Sequence, residues 1–257
     1  MTPQAEADML ERARRLGLWG LLANWDTMSK QAWVREYLGV EEDERSRRSL
    51  ERRIRGARLG AFKSIADFDW QWPKAVDRDH IEDLLQLGFL GESANVVLFG
   101  PTGTGKTMIA QNLAYQALQN GNTALMTTAS AMLNDLAAQD SATALARRLR
   151  RYCRPRLLVL DEIGYFVHAG RAADLFFEVI SQRYGQRSTV MTSNKIFSEW
   201  PAVFGGAGCV SAIVDRVVHK VEIVKIDGES YRQKEAKERG ERKAQERKAR
   251  AKKARSS

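Results

Sequence analysis

Short apolar runs alternate with amphipathic stretches through the middle of the chain. Asn95-Val96-Val97-Leu98-Phe99 reads as a buried strand that ends at a glycine-rich loop. A helix is expected from about Lys106 to Gln119, closed by Asn120-Gly121. A second strand is predicted from Thr123 to Thr127, with a helix opening near Ser130. The third strand is Leu157-Leu158-Val159-Leu160, entered from Pro155. A helix over about Ala172 to Tyr184 precedes a fourth strand at Ser188 to Thr192, and one near Ser211 to His219 leads to a fifth at Val221 to Ile226. Strands that alternate with helices predict an α/β domain built on a mostly parallel five-stranded sheet, covered on both faces.

The flanks have a different pattern. Residues 1–63 read as a small, charged helical domain for DNA or partner binding. Within it Arg45, Arg48, Arg52 and Arg55 recur at helical spacing, opposite Leu50, Ile54, Ala57 and Ala61. Between Arg45 and Arg58 only Glu51 is acidic, so seven arginines exceed the negative charge available inside the stretch. Such a stripe is either a solvated face with local ion pairs or a phosphate-binding face for nucleic acid. Residues 64–231 form the expected α/β domain. Residues 232–257 contain no large apolar side chain. They cannot bury a core, and are expected as a basic, disordered tail or a lone charged helix.

Charge sharpens this division. The net charge is +9, but residues 233–257 hold 11 Lys and Arg against 4 Asp and Glu, while the other 232 residues hold 30 against 28. The excess sits in the tail and points to a polyanionic partner. The chain of 257 residues is 44% hydrophobic, and no apolar run approaches the length of a membrane span. No secretory signal is read at the N-terminus, so a cytoplasmic location is expected. Cys153 and Cys209 are isolated, and His80, His168 and His219 are scattered, so no metal cluster made of side chains alone is expected.

The chemistry lies in the loop after the first strand. Gly100-Pro101-Thr102-Gly103-Thr104-Gly105-Lys106-Thr107 fits G-x-x-x-x-G-K-[ST] in full. Its glycines let backbone N–H groups close around phosphate oxygens, and the following helix N-terminus adds a favourable dipole. Lys106 is expected on the β- and γ-phosphates of ATP, with the Thr107 hydroxyl on Mg2+. Asp161-Glu162 follows an apolar strand, which delivers both carboxylates to the strand's C-terminal end. Asp161 is expected to hold Mg2+ and Glu162 to polarise the attacking water. Thr192-Ser193-Asn194 ends the fourth strand; Asn194 is either a turn residue or a contact to the γ-phosphate or water.

Taken together, residues 8–232 resemble an AAA+ ATPase and are most similar to the IstB-like ATP-binding proteins of insertion sequences, relatives of the DnaC helicase loaders. The likeness rests on the P-loop, Leu158-Val159-Leu160-Asp161-Glu162-Ile163-Gly164-Tyr165, Thr192-Ser193-Asn194, Ile213-Val214-Asp215-Arg216 and Gly228-Glu229-Ser230-Tyr231-Arg232. Arg52-Arg53-Ile54 through Ala66-Asp67-Phe68-Asp69 resembles the family's segment leading into the ATPase core. The resemblance implies Asn194 as sensor 1, Arg216 as an arginine finger reaching a neighbouring subunit's ATP, and Arg232 as sensor 2. It also implies an ATP-dependent homo-oligomer on double-stranded DNA, and a transposase encoded by the same element as partner. A replicative helicase loader is the alternative. A small-molecule kinase and a module that binds ATP without turnover fit less well, given Arg216, Arg232 and Glu162. Residues 139–144 read as small and polar, a departure from the family where DNA-contacting loops would lie, and the tail after Arg232 matches no motif of the family.

Overall fold

The computed structural model describes residues 2–164 and 171–255, with side chains as far as residue 244; Tyr165 and His168 lie outside the described residues. The chain divides into two units, Met1–Arg55 and Gly56–Ser257. The divide falls eight residues before the boundary expected from sequence, within the last turn of a helix. No helix among the described residues is long and apolar enough to cross a membrane.

The first unit is helical. Its elements are α1 (Pro3–Arg15), α2 (Trp19–Ala23), α3 (Trp25–Met28) and α4 (Trp33–Ala57). Thr2 caps α1 by accepting from the Ala5 amide, and Pro3 occupies the first turn, where its missing N–H costs nothing. Met9, Ala13 and Leu16 bury against Val34 and Leu38. Arg12 and Arg15 both reach Glu42, at 2.7 and 2.6 Å, and tie α1 to α4. α4 stops at Ala57 because Arg58 adopts a left-handed backbone, φ +58°. Ala61, expected on the apolar face of this helix, therefore lies beyond it.

The second unit carries the sheet. It comprises β1 (Ala75–Val76), α5 (Arg78–Leu85), α6 (Gly88–Gly91), β2 (Asn95–Phe99), α7 (Lys106–Gln119), β3 (Ala124–Thr128), α8 (Ala129–Ala137) and α9 (Ala142–Cys153). There follow β4 (Leu157–Ile163), α10 (Ala172–Arg183), β5 (Ser188–Ser193), α11 (Trp200–Val203), α12 (Val210–Val218), β6 (Val221–Asp227) and α13 (Tyr231–Arg255). The strand order is β1-β6-β2-β5-β4-β3. The five strands expected from sequence are parallel. The sixth, β1, is two residues long and runs antiparallel on β6. Two residues are too few to show an alternating pattern, so β1 has no signature in the sequence.

Leu157, Leu158, Val159 and Leu160 are fully buried, as befits a central strand with both faces covered. The β-sheet's far end is closed by Arg183. This buried guanidinium donates to the carbonyls of Tyr152 at 3.0 Å and Pro155 at 2.9 Å and to the Thr189 hydroxyl at 3.0 Å. It thus satisfies backbone acceptors left open where α9 ends. The tail is the helix α13 as far as Arg255, not a disordered segment.

Candidate nucleotide-binding site

β2 delivers the chain to the P-loop, and α7 leaves it. Gly105 sits at the N-cap of α7 with φ +96°, and a Cβ there would collide with the Phe68 ring. Gly103 has φ +81° and is packed just as closely against Ser230. Both positions need a residue without a side chain. Lys106, 5% exposed, donates from Nζ to the carbonyls of Gly100 at 2.7 Å and Pro101 at 2.6 Å. Burial pushes its pKa down to about 8; Asp161 opposes this shift and Arg232 adds to it.

The carboxylates stand at a break in the sheet. Leu160 pairs with Met191 and Ile163 with Ser193, so Asp161 and Glu162 together oppose Thr192. The bulge holds Glu162 at φ +64°, an uncommon backbone for a residue with a side chain. It leaves Asp161 buried and Glu162 exposed, although the two are adjacent. Asp161 accepts from the Thr107 hydroxyl, with oxygens 3.0 and 3.1 Å away, and from the Thr192 hydroxyl. Thr192 Oγ1 in turn accepts from the Glu162 amide at 3.0 Å. One threonine therefore fixes both acidic residues.

A cavity of about 680 Å³ opens over this arrangement, lined by the P-loop from Thr102 to Thr107, Glu162 and Thr192. Its other wall is Phe68, Asp69, Trp72, Tyr231 and Arg232. Lys106, Thr107, Glu162 and Arg232 thus meet in one cavity, with Asp161 bonded beneath it. Asn194 does not line it. Asn194 follows β5 and lies beside Gly164, its buried Oδ1 without a hydrogen-bond partner among the described residues. Arg216 is elsewhere: on α12 its guanidinium donates to the Ala212 carbonyl at 3.2 Å and lies 4.6 Å over the Phe177 ring. It borders a small cavity with Asn95 and Thr189, at the strand ends opposite the P-loop. Sequence reasoning missed Thr192 as the support of Asp161 and missed the aromatic wall. Thr192 stood in a motif already singled out, and only the bulge register gives it its role. Trp72 and Tyr231 are distant in sequence and meet through folding alone.

In the first unit the arginine stripe divides. Arg45 pairs with Glu41 at 3.3 Å and Arg48 with Glu44 at 2.5 Å, while Arg47 reaches Glu44 and Glu51. Arg47 and Arg48 hold the Glu44 carboxyl down to about 2. The negative charge comes from Glu41 and Glu44, one turn before the stretch, which counting acids between Arg45 and Arg58 overlooked. Arg52 and Arg55 are exposed, with no ion pair among the described residues.

A parallel sheet in this order, a P-loop entering a helix and an Asp-Glu pair on the buried strand β4, separated from the P-loop strand by β5, define a P-loop nucleotide-binding domain with the AAA+ fold. Residues 13–239 match the IstB-like ATP binding protein family, and the chain belongs to it. It is 35% identical to an ATP-binding protein of insertion sequence IS21 from Pseudomonas aeruginosa, over 82% of this chain and 81% of that one. It is 32% identical to an ATP-binding protein of insertion sequence IS5376 from Geobacillus stearothermophilus, over 88% of this chain and 93% of that one. Among solved structures DnaI is similar in fold, with a TM-score of 0.54 at 17% identity over 67% of this chain and 90% of that one. The DnaC helicase loader has a TM-score of 0.50 at 19% identity, over 63% of this chain and 97% of that one.

Proposed function

We propose that the protein is an ATP-hydrolysing switch that assembles on duplex DNA with ATP bound and assists the transposase of its own insertion sequence in engaging target DNA. The observation that carries the reading is the Thr107–Asp161–Thr192 chain beneath the P-loop, with Glu162 turned out into the same cavity. The Thr107 hydroxyl and the Asp161 carboxylate are hard oxygen donors. Two such donors suit Mg2+, which takes one or two protein oxygens and completes its shell with phosphate and water. The metal would supply charge neutralisation on the phosphates.

The protein's own groups supply the rest. The P-loop amides and Lys106 bind the phosphates. Asp161 is held in orientation by two hydroxyls. Glu162 orients the attacking water and takes its proton as the bond between the γ-phosphorus and the bridging oxygen breaks. Arg232 offers a cation to the γ-phosphate from the same subunit, and Asn194 has a free acceptor for the water if the strand end shifts. Arg216, distant from its own P-loop, is suited to a neighbour's. Arg45, Arg48, Arg52 and Arg55 form a face for DNA phosphates, two of them exchanging surface ion pairs that water and salt screen.

The insertion-sequence names of the relatives support a transposase as partner over a replicative helicase. Electron microscopy of the protein with duplex DNA tests the assembly. Rings or filaments on DNA with ATP, and none without nucleotide, are expected. Single subunits in both conditions would refute it.

A further inference from the structure

α13 is held by its first turn. The Tyr231 amide donates to the Gly103 carbonyl of the P-loop at 2.9 Å, and the Trp72 indole N–H donates to the Glu229 carbonyl at 3.0 Å. Lys234 closes the root: its ammonium meets Asp69 at 3.0 Å, 4.3 Å from the Trp72 ring centre and 5.3 Å from that of Tyr231. Asp69, Trp72 and Tyr231 are at the same time wall residues of the nucleotide cavity. From Glu235 to Ala244 every side chain is exposed. Residues 236–257 carry ten Lys and Arg against three Glu.

This segment has local reasons to be helical without a core. Glu235 stands four residues before Arg239, and Glu238 four before Arg242, the favourable order for such pairs. Cations crowd its C-terminal end, where the helix dipole favours them. Beyond the root it extends about 30 Å, close to one turn of duplex. The family match ends at residue 239, before most of this arm.

We propose that α13 is a DNA-binding arm whose hold on duplex is set by the nucleotide, through the clasp of Asp69, Trp72, Tyr231 and Lys234 at its root. The proposal rests on the duplex-DNA reading above. A nucleotide in the cavity contacts the wall that the clasp is built on and so steadies the root. An arm pivoting on one turn must give up its orientational freedom when it meets DNA. A steadied arm has already lost that freedom and can lay its cations along successive phosphates. Each phosphate so neutralised releases a counterion and steepens the dependence of affinity on salt. Charge complementarity and length favour duplex as the occupant.

The test is fluorescence anisotropy of a labelled duplex across a salt series, with and without a non-hydrolysable ATP analogue. The proteins are the full chain, a chain ending at Arg239, and Lys234→Ala. For the full chain the analogue should steepen the salt slope. The truncation should keep its nucleotide affinity, lose about tenfold or more in duplex affinity at low salt with analogue bound, and show no steepening. Lys234 lies outside the cavity, so Lys234→Ala should bind the analogue normally, yet give the shallow slope in both conditions. A truncation with the slopes of the full chain would overturn the arm and leave the duplex reading standing. An equal loss with and without analogue would overturn the coupling. Polyglutamate displacing the duplex as well as an equal charge of unlabelled duplex would overturn DNA as the occupant, in favour of an acidic protein. A full chain that binds no duplex in any condition would overturn this proposal together with the duplex reading.

Discussion

Lys106 meets opposing demands. Its ammonium must be charged to hold phosphate, yet burial under the P-loop lowers its pKa to about 8. The sign of the consequence is fixed. Below that pH the cation is present; above it the neutral amine offers no counter-charge. ATP affinity should therefore hold between pH 6 and 7 and fall as pH rises through 8, by up to about tenfold per unit. Binding above pH 8 should take up protons. Titration calorimetry in buffers of different ionisation enthalpy checks both; an affinity that is flat to pH 10 would mean that burial does not lower the Lys106 pKa. Glu162 gives the complementary residue test. Glu162→Gln keeps the cavity's shape and removes the base, so nucleotide binding should persist while phosphate release falls on the order of 10²–10⁴-fold. Wild-type turnover in that variant would assign the water to another group.

At the scale of elements, what was legible follows from where the determinants lie. Among the parallel strands, β2 and β4 showed because buried strands need continuous apolar runs, as Val96-Val97-Leu98 and Leu157 to Leu160 supply. The P-loop showed because its glycines are dictated by backbone geometry rather than by distant partners. The bulge in β4 did not show, because it exists only in register with β5, and Thr192 takes its role from that register. β1 is fixed by pairing with Ile226 and Asp227. The helical state of the tail was left open because composition rules out a core without ruling out a helix. The unit β2–loop–α7 yields a prediction of its own. Gly105→Ala would place a methyl group against Phe68 at a left-handed φ, a backbone cost of about 1–3 kcal/mol. ATP affinity should fall about tenfold or more while the fold survives. Comparing circular dichroism with nucleotide titration separates these, and unchanged affinity would show that the loop has room that the structure denies it.

At the scale of the whole molecule the separation of Arg216 from its own P-loop is the decisive feature. In the proposed reading, a cation at the strand ends opposite the phosphates acts on the ATP of a second subunit. Arg216→Ala should bind ATP but lose about 10³-fold or more in turnover, as loss of an arginine finger does. Lys106→Ala should neither bind nor hydrolyse, yet it keeps its finger. The most direct test mixes the two inactive variants on duplex DNA and measures phosphate release. Rescue of part of the wild-type rate, rising with the fraction of mixed contacts, is expected, because an intact Arg216 then faces an intact Lys106. No rescue in oligomers shown to contain both variants would contradict an active site shared between subunits.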